Sequence, residues 1–133
     1  MSINIGILSS GEGLELAALI GAARNGQLPA EIKIVLTDRD SSALALAREA
    51  GLYGSFVPRS AFHANRDGFE RRLAALLKEA GVEAVILANF LREPGPTLEA
   101  AFPGKIINLE GLSLENIPEL VARKLRGFSL NLV

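Results

Sequence analysis

Short apolar runs alternate with amphipathic segments along the whole chain. The apolar runs predict buried strands at 3–8, 32–37, 55–57, 84–88 and 105–109. The segments with apolar residues three to four apart predict helices at 16–23, 42–48, 69–80, 97–101 and 117–127. Regular alternation of strand and helix is typical of βαβ units. We therefore predict one α/β domain over residues 1–133, doubly wound around a mostly parallel sheet of five or six strands.

The pattern also predicts where the sheet ends. Pro58 follows the third strand and cannot donate to a strand ladder, so this strand should lie at an edge. Residues 116–119 have the form of a capping box that opens the last helix, which Gly127 should end. Apolar residues then alternate over 128–132 and predict a final strand. Residues 112–133 would thus close the domain with a helix and a strand, whose exposed edge could pair two chains into a homo-oligomer.

Composition narrows the classes of function. Hydrophobic residues make up 49% of the 133, and 14 Lys and Arg stand against 15 Asp and Glu, a net charge of −1 that predicts no nucleic-acid or membrane partner. The chain has no Cys and one His, which excludes thiolate chemistry and a histidine-built metal site or triad within one chain. We expect no metal. Without a basic leader or an apolar run of about 18 residues, we expect a cytoplasmic protein.

Three loops are candidates for a site. In an open parallel sheet, ligands bind beyond the carboxyl ends of the strands, where the winding reverses. The loops after Leu8, Ala88 and Leu109 should meet at that point. His63 lies just ahead of a predicted helix, where a capping or surface role is expected.

The first loop, residues 9–13, contains a Gly-x-Gly pattern at Gly11 and Gly13. Such a pattern lets backbone amides approach an anion at a helix N-terminus, although a tight turn between strand and helix explains the same glycines. Glu12 and Glu15 fall in or near the first helical turn, where they would satisfy the helix dipole and repel a phosphate.

The other two loops carry more varied chemistry. Phe90, Leu91 and Arg92 follow a buried strand, and an aromatic ring beside a guanidinium suits a planar, acidic ligand, although an exposed loop would contain the same residues. Asn108 and Glu110 stand two apart at the end of the fifth strand and should point to the same side. An Asn can polarise a carbonyl and a Glu can act as a base, although carboxylates at strand ends are usually solvated.

Taken together, these loops resemble a known family. The matching stretches are IGILSSGEG at 5–13, SAF at 60–62 with Arg66, ANFLR at 88–92 and GKIIN at 104–108. In this order they resemble glycinamide ribonucleotide formyltransferase of purine synthesis, from about residue 3 to residue 108.

The resemblance implies a truncated Rossmann-like formyltransferase fold and a reaction. The family transfers a formyl group from 10-formyltetrahydrofolate to an amine by direct attack, without a metal. Asn108 matches the residue that polarises the formyl carbonyl, and residues 90–92 match the loop on the folate side. Gly11 and Gly13 match the phosphate loop of the substrate site, and Arg66 matches an arginine near it.

The chain departs from the family pattern at three places. The family's Asn-x-His motif ends in Glu110 here, and loss of a general acid or base typically costs about 10²–10⁴ in rate. Leu14 and Glu15 replace polar residues of the phosphate loop. The family continues with further sheet and a catalytic Asp, which residues 111–133 do not match.

Three hypotheses follow. The first is a degenerate or truncated formyltransferase-like domain with weak folate or anion affinity and little activity. The second is a non-catalytic binding or scaffold domain, since a fold alone does not imply an activity. The third is an active enzyme in which Glu110 serves as the base.

Overall fold

One parallel sheet forms the centre of the computed structural model, which describes residues 2–90 and 93–130, with the backbone alone for 129 and 130. Its strands are β1 (Ile3–Ser9), β2 (Ala30–Thr37), β3 (Gly54–Phe56), β4 (Ala84–Leu87) and β5 (Ile106–Asn108). They pair in the order β3-β2-β1-β4-β5, every pair parallel. The predicted parallel α/β fold with five strands is confirmed, and β3 lies at an edge.

Helices cover both faces of the sheet. They are α1 (Leu14–Arg24), α2 (Ser42–Glu49), α3 (Arg66–Glu79), α4 (Pro96–Ala101) and α5 (Ile117–Leu130), with 3₁₀ turns at Arg59–Phe62 and Leu114–Asn116. Buried residues of α1, α2 and α5 share one core with β1, and those of α3 and α4 share a second core on the opposite face. In the described part of the chain, no helix is long and apolar enough to cross a membrane.

The winding reverses between β1 and β4. The chain moves outward from β1 through β2 to β3, and then crosses back along α3 to place β4 on the other side of β1. This arrangement is the topological switch point at which doubly wound sheets bind ligands. The fold therefore directs attention to the carboxyl ends of β1, β4 and β5.

The outer edge of β2 is only partly covered. β3 pairs with Val35, Leu36 and Thr37, so among the described residues no strand lies beside the first half of β2 on that side. In this half the register with β1 shifts by one residue at Lys33, whose ammonium lies 3.2 Å from the Glu31 carboxylate.

The predicted final strand is wrong for the described residues. The helix α5 does not end at Gly127 but continues to Leu130, and residues 131–133 lie outside the described part. Phe128 packs against the same core as Leu125 and Val121, so it extends the helical stripe. The strand edge that we predicted for a homo-oligomer is therefore absent from 128–130.

The start of α3 is capped by Asn65, whose side-chain oxygen accepts the Gly68 N–H at 3.0 Å. His63 is exposed, with a positive φ of 46°, at the end of the preceding 3₁₀ turn. Its predicted surface role agrees with this position.

Candidate functional site

A cleft of about 320 Å³ opens at the carboxyl ends of β4 and β5. Its lining comes from the loops after these strands and from the first turn of α1: Glu15, Asn89, Phe90, Glu93, Asn108, Leu109, Glu110, Gly111 and Leu112. Backbone bonds hold the loop ends together, since Ser10 N–H donates to the Asn89 carbonyl at 3.0 Å. The structure thus brings the loops after β4 and β5 to one crevice, with the loop after β1 bonded beside them.

Asn108 and Glu110 both line this cleft, as their spacing predicted. The Asn108 Oδ1 atom accepts the Glu110 backbone N–H at 2.9 Å, so β5 ends in a turn closed by its own side chain. Only the Nδ2 amide of Asn108 can donate to a ligand carbonyl, and this bond to Oδ1 orients it. Both side chains belong to exposed residues at the mouth of the cleft.

The glycines of the first loop pack against protein atoms. A Cβ at Gly11 would lie 2.2 Å from the Asn89 Nδ2 atom, and one at Gly13 would lie 3.1 Å from the Ala43 Cα. Gly13 also has a φ of 94°, which favours glycine. Backbone packing and conformation therefore account for Gly13, whereas the nearest atoms at Gly11 belong to the exposed Asn89 side chain, and neither glycine lines the cleft. Their predicted role in substrate binding stays a prediction.

Phe90 forms the back of the cleft, where it meets a second layer of side chains. Its ring stacks on that of Phe69, with centroids 6.4 Å apart and planes at 5°. The Arg59 guanidinium lies 5.1 Å from the Phe90 centroid, and its Nε lies 2.6 Å from a buried Asp38 carboxylate oxygen. Contacts with Phe69 and Arg59 thus hold the Phe90 ring in place. Leu91 and Arg92, the other two predicted ligand residues of this loop, lie outside the described residues.

Arg66 lies away from the cleft lining. Its Nε is 3.3 Å from a Glu70 oxygen, and its Nη2 donates to the Glu93 carbonyl. It lines a smaller cavity of about 50 Å³ on the other side of Phe90. The structure therefore does not bring Arg66 to Asn108, and its predicted substrate contact stays a prediction.

The charged side chains among the described lining residues of the cleft are all acidic. Glu15, Glu93 and Glu110 line it, and the described lining residues include no Lys or Arg. Carboxylates repel a phosphate and accept hydrogen bonds from N–H donors. Within the described ranges, no group of three or more His, Asp or Glu side chains could hold a metal ion.

The sequence reasoning missed Glu70 and Glu93. Glu93 enters the lining from the segment before α4, and Glu70 is buried in α3, with 5% of its surface exposed. One signal was present: α4 begins at Gly95-Pro96, without a Ser, Thr, Asp or Asn to cap it. A helix start of this kind needs an acceptor from elsewhere in the fold.

The chain belongs to the formyl transferase family, whose sequence model matches residues 3–113. Within it, the chain is similar to phosphoribosylglycinamide formyltransferase. It is 29% identical over 119 residues to that enzyme from Escherichia coli K12, which covers 89% of this chain and 56% of the enzyme.

Solved structures agree with this assignment. Glycinamide ribonucleotide transformylase 1 from Symbiobacterium toebii superposes with a TM-score of 0.77 at 35% identity, over 80% of this chain and 50% of that one. For phosphoribosylglycinamide formyltransferase from Brucella melitensis the TM-score is 0.76 at 30% identity, over 81% and 56%. The resemblance found in the sequence is confirmed. The chain spans about half the length of the curated relatives it matches.

Proposed function

We propose that the chain binds the pterin end of a folate-type formyl donor, 10-formyltetrahydrofolate, in the cleft between Phe90 and Asn108, and that it supports little formyl transfer. The observation that carries this proposal is the turn at the end of β5. There, the Glu110 N–H fixes the Asn108 oxygen and leaves its Nδ2 amide as a donor. When an amine attacks the formyl carbon, the formyl oxygen gains negative charge. An N–H donor that is already held in place stabilises that charge.

The size and charge of the cleft support a pterin ring. A volume of about 320 Å³ falls at the lower end of the range of about 300–1,000 Å³ typical of ligand sites, which suits a ring system. The amino and ring N–H groups of a pterin can donate to the carboxylates of Glu15, Glu93 or Glu110. A phosphate would meet the same carboxylates as an anion, so the acidic lining disfavours a phosphorylated acceptor.

Glu110 limits the chemistry. Formyl transfer moves a proton off the attacking amine and delivers one to the leaving nitrogen. A carboxylate can take up that proton and pass it on, but an ordinary carboxylate is a weaker base than an imidazole, whose pKa lies nearer neutral pH, so it is less well matched to moving a proton in both directions. For this reason we favour ligand binding with weak transfer over an efficient enzyme.

A thermal-shift titration tests the binding proposal. 10-Formylfolic acid, which carries the formyl group, should raise the melting temperature, because a ligand at 100 times its Kd adds about 2.7 kcal/mol to the free energy of unfolding. Asn108→Ala should reduce the shift, and the exposed Glu119→Gln on α5 should leave it unchanged. Inorganic phosphate should give no shift. No shift with millimolar 10-formylfolic acid, or equal shifts for the wild type and Asn108→Ala, would refute the proposal.

A transfer assay tests the role of Glu110. If the carboxylate acts as a base, any transfer by the wild type with 10-formyltetrahydrofolate and an amine should be lost in Glu110→Gln, while the melting temperature stays the same. Equal rates in both proteins would remove Glu110 from the mechanism.

A further inference from the structure

Side chains from the first two turns of α3 reach across to the segment that leads into α4. The Glu70 carboxylate accepts the Gly95 N–H at 2.7 Å on Oε2 and the Leu98 N–H at 2.9 Å on Oε1. Arg66 donates to Glu70 and to the Glu93 carbonyl. Nearby, the Thr97 hydroxyl donates to Asp67. Each of these contacts to the segment joins residues 25–30 positions apart.

Glu70 supplies the cap that α4 lacks. The N-cap residue of α4 is Gly95, which has no side chain to accept an N–H, and Leu98 holds the third helical position, whose N–H needs an acceptor. Both N–H groups are buried with Glu70. A Cβ at Gly95 would lie 2.8 Å from the Glu70 Oε2 atom, so the close approach requires glycine.

These contacts also hold Glu93, which lines one side of the cleft wall, next to the start of α4. On the other side, Asn89 is held by the sheet through the bond from Ser10 N–H to its carbonyl. The ring of Phe90, which also lines the cleft, stacks on Phe69 of α3. The position of the wall therefore depends on α3 as well as on β4.

We propose that Glu70, assisted by Arg66, is a positioning residue for ligand binding: it touches no ligand but holds the 93–98 segment so that Phe90 and Glu93 keep the cleft in its binding shape. The inference rests on the proposed function for the ligand, whereas the contact to α4 stands on the geometry alone. It also gives Arg66 this positioning role, and the substrate contact that the resemblance implies for Arg66 stays a separate prediction.

The test combines amide hydrogen exchange, folic acid affinity and melting temperature in four variants. Glu70→Gln keeps one acceptor oxygen for two N–H groups, and Arg66→Met removes the bond to the Glu93 carbonyl. Arg72→Met is the matched control, because Arg72 is an exposed residue of the same helix. Ala122→Gly lowers stability in α5, on the other face of the sheet.

We expect faster exchange at Gly95 and Leu98 in Glu70→Gln, with folic acid bound roughly tenfold more weakly, or about 1.4 kcal/mol. Arg66→Met should show a smaller increase in exchange at these two amides and a smaller loss of affinity for folic acid. Arg72→Met should resemble the wild type, and Ala122→Gly should lower the melting temperature without changing affinity.

Unchanged exchange at Gly95 and Leu98 in Glu70→Gln would overturn the inference. The inference would also be overturned if Ala122→Gly and Glu70→Gln had equal melting temperatures and lost the same affinity for folic acid. The weaker binding would then result from general destabilisation. If the wild type binds no folic acid but exchange still rises in Glu70→Gln, the link between α3 and α4 stands and the ligand proposal fails.

Discussion

The two walls of the cleft are held in different ways. The wall after β4 is fixed by α3 side chains that lie 25–30 residues away in sequence. Beyond the sheet bond from Leu109 N–H to the Leu87 carbonyl, the wall after β5 is fixed by bonds between residues two or three apart, from Glu110 N–H to Asn108 Oδ1 and from Leu112 N–H to the Leu109 carbonyl. The first wall therefore takes its shape from the tertiary fold, and the second from its own turn.

The largest effect is expected where the long-range contacts are tightest. Gly95→Ala would place a Cβ 2.8 Å and 3.0 Å from the two Glu70 oxygens, which cannot retreat without losing their bonds to α4. Overpacking of this kind costs about 1–3 kcal/mol in free energy of unfolding, measurable by urea denaturation. The control is Gly21→Ala inside α1, where a Cβ meets no atom within 4 Å and should stabilise by about 0.5–1 kcal/mol. Equal stability of the two variants would contradict this account.

A smaller effect is expected from the local wall. Asn108→Ala removes the acceptor of one exposed N–H, so the free energy of unfolding should fall by about 0.5–1.5 kcal/mol or less. Binding of 10-formylfolic acid should nevertheless weaken, because the amide that donates to the formyl oxygen is lost with the side chain. Calorimetric titration beside urea denaturation separates the two quantities. A large loss of stability would mean that this wall is also part of the tertiary framework.

The smallest effect on stability is expected at Gly11. Gly11→Ala would press on the Asn89 Nδ2 atom, which is the tip of an exposed side chain and can rotate away. We expect a loss of about 0.5 kcal/mol or less, typical of surface substitutions. The chemical shifts of the Asn89 side-chain amide should move, since that group lines the cleft. A loss as large as that of Gly95→Ala would show that Asn89 is fixed in place.

Much of the sheet could be predicted because buried parallel strands are continuous apolar runs. The structure at the end of the chain could not be predicted, because the apolar residues there fit both the alternation of a strand and the spacing of a helix. Phe128 follows Leu125 by three and Val121 by seven, which is helical spacing, and its ring also lies under the Lys105 ammonium at 4.9 Å. Packing on the core therefore outweighed the helix-ending tendency of Gly127.

The candidate site was predictable only in part. The switch-point rule located the loops after β4 and β5, since it depends on strand order alone. The role of Glu70 was not predictable, because its partners are 25 and 28 residues away in sequence. In the sequence, Glu70 does not differ from the other charged residues of an amphipathic helix. Arg66 was assigned from the resemblance, which carries no information about its ion pair with Glu70.

The half-covered edge of β2 bears on how the chain behaves at high concentration. A free strand edge is a template for pairing with another molecule, and proteins blunt such edges with charges and irregular register. In this chain, the charges come from Glu31 and Lys33, and the irregular register comes from the shift at Lys33. Replacing the two charged residues with threonine or valine would leave a flat, uncharged edge, and aggregation of the folded protein would begin there.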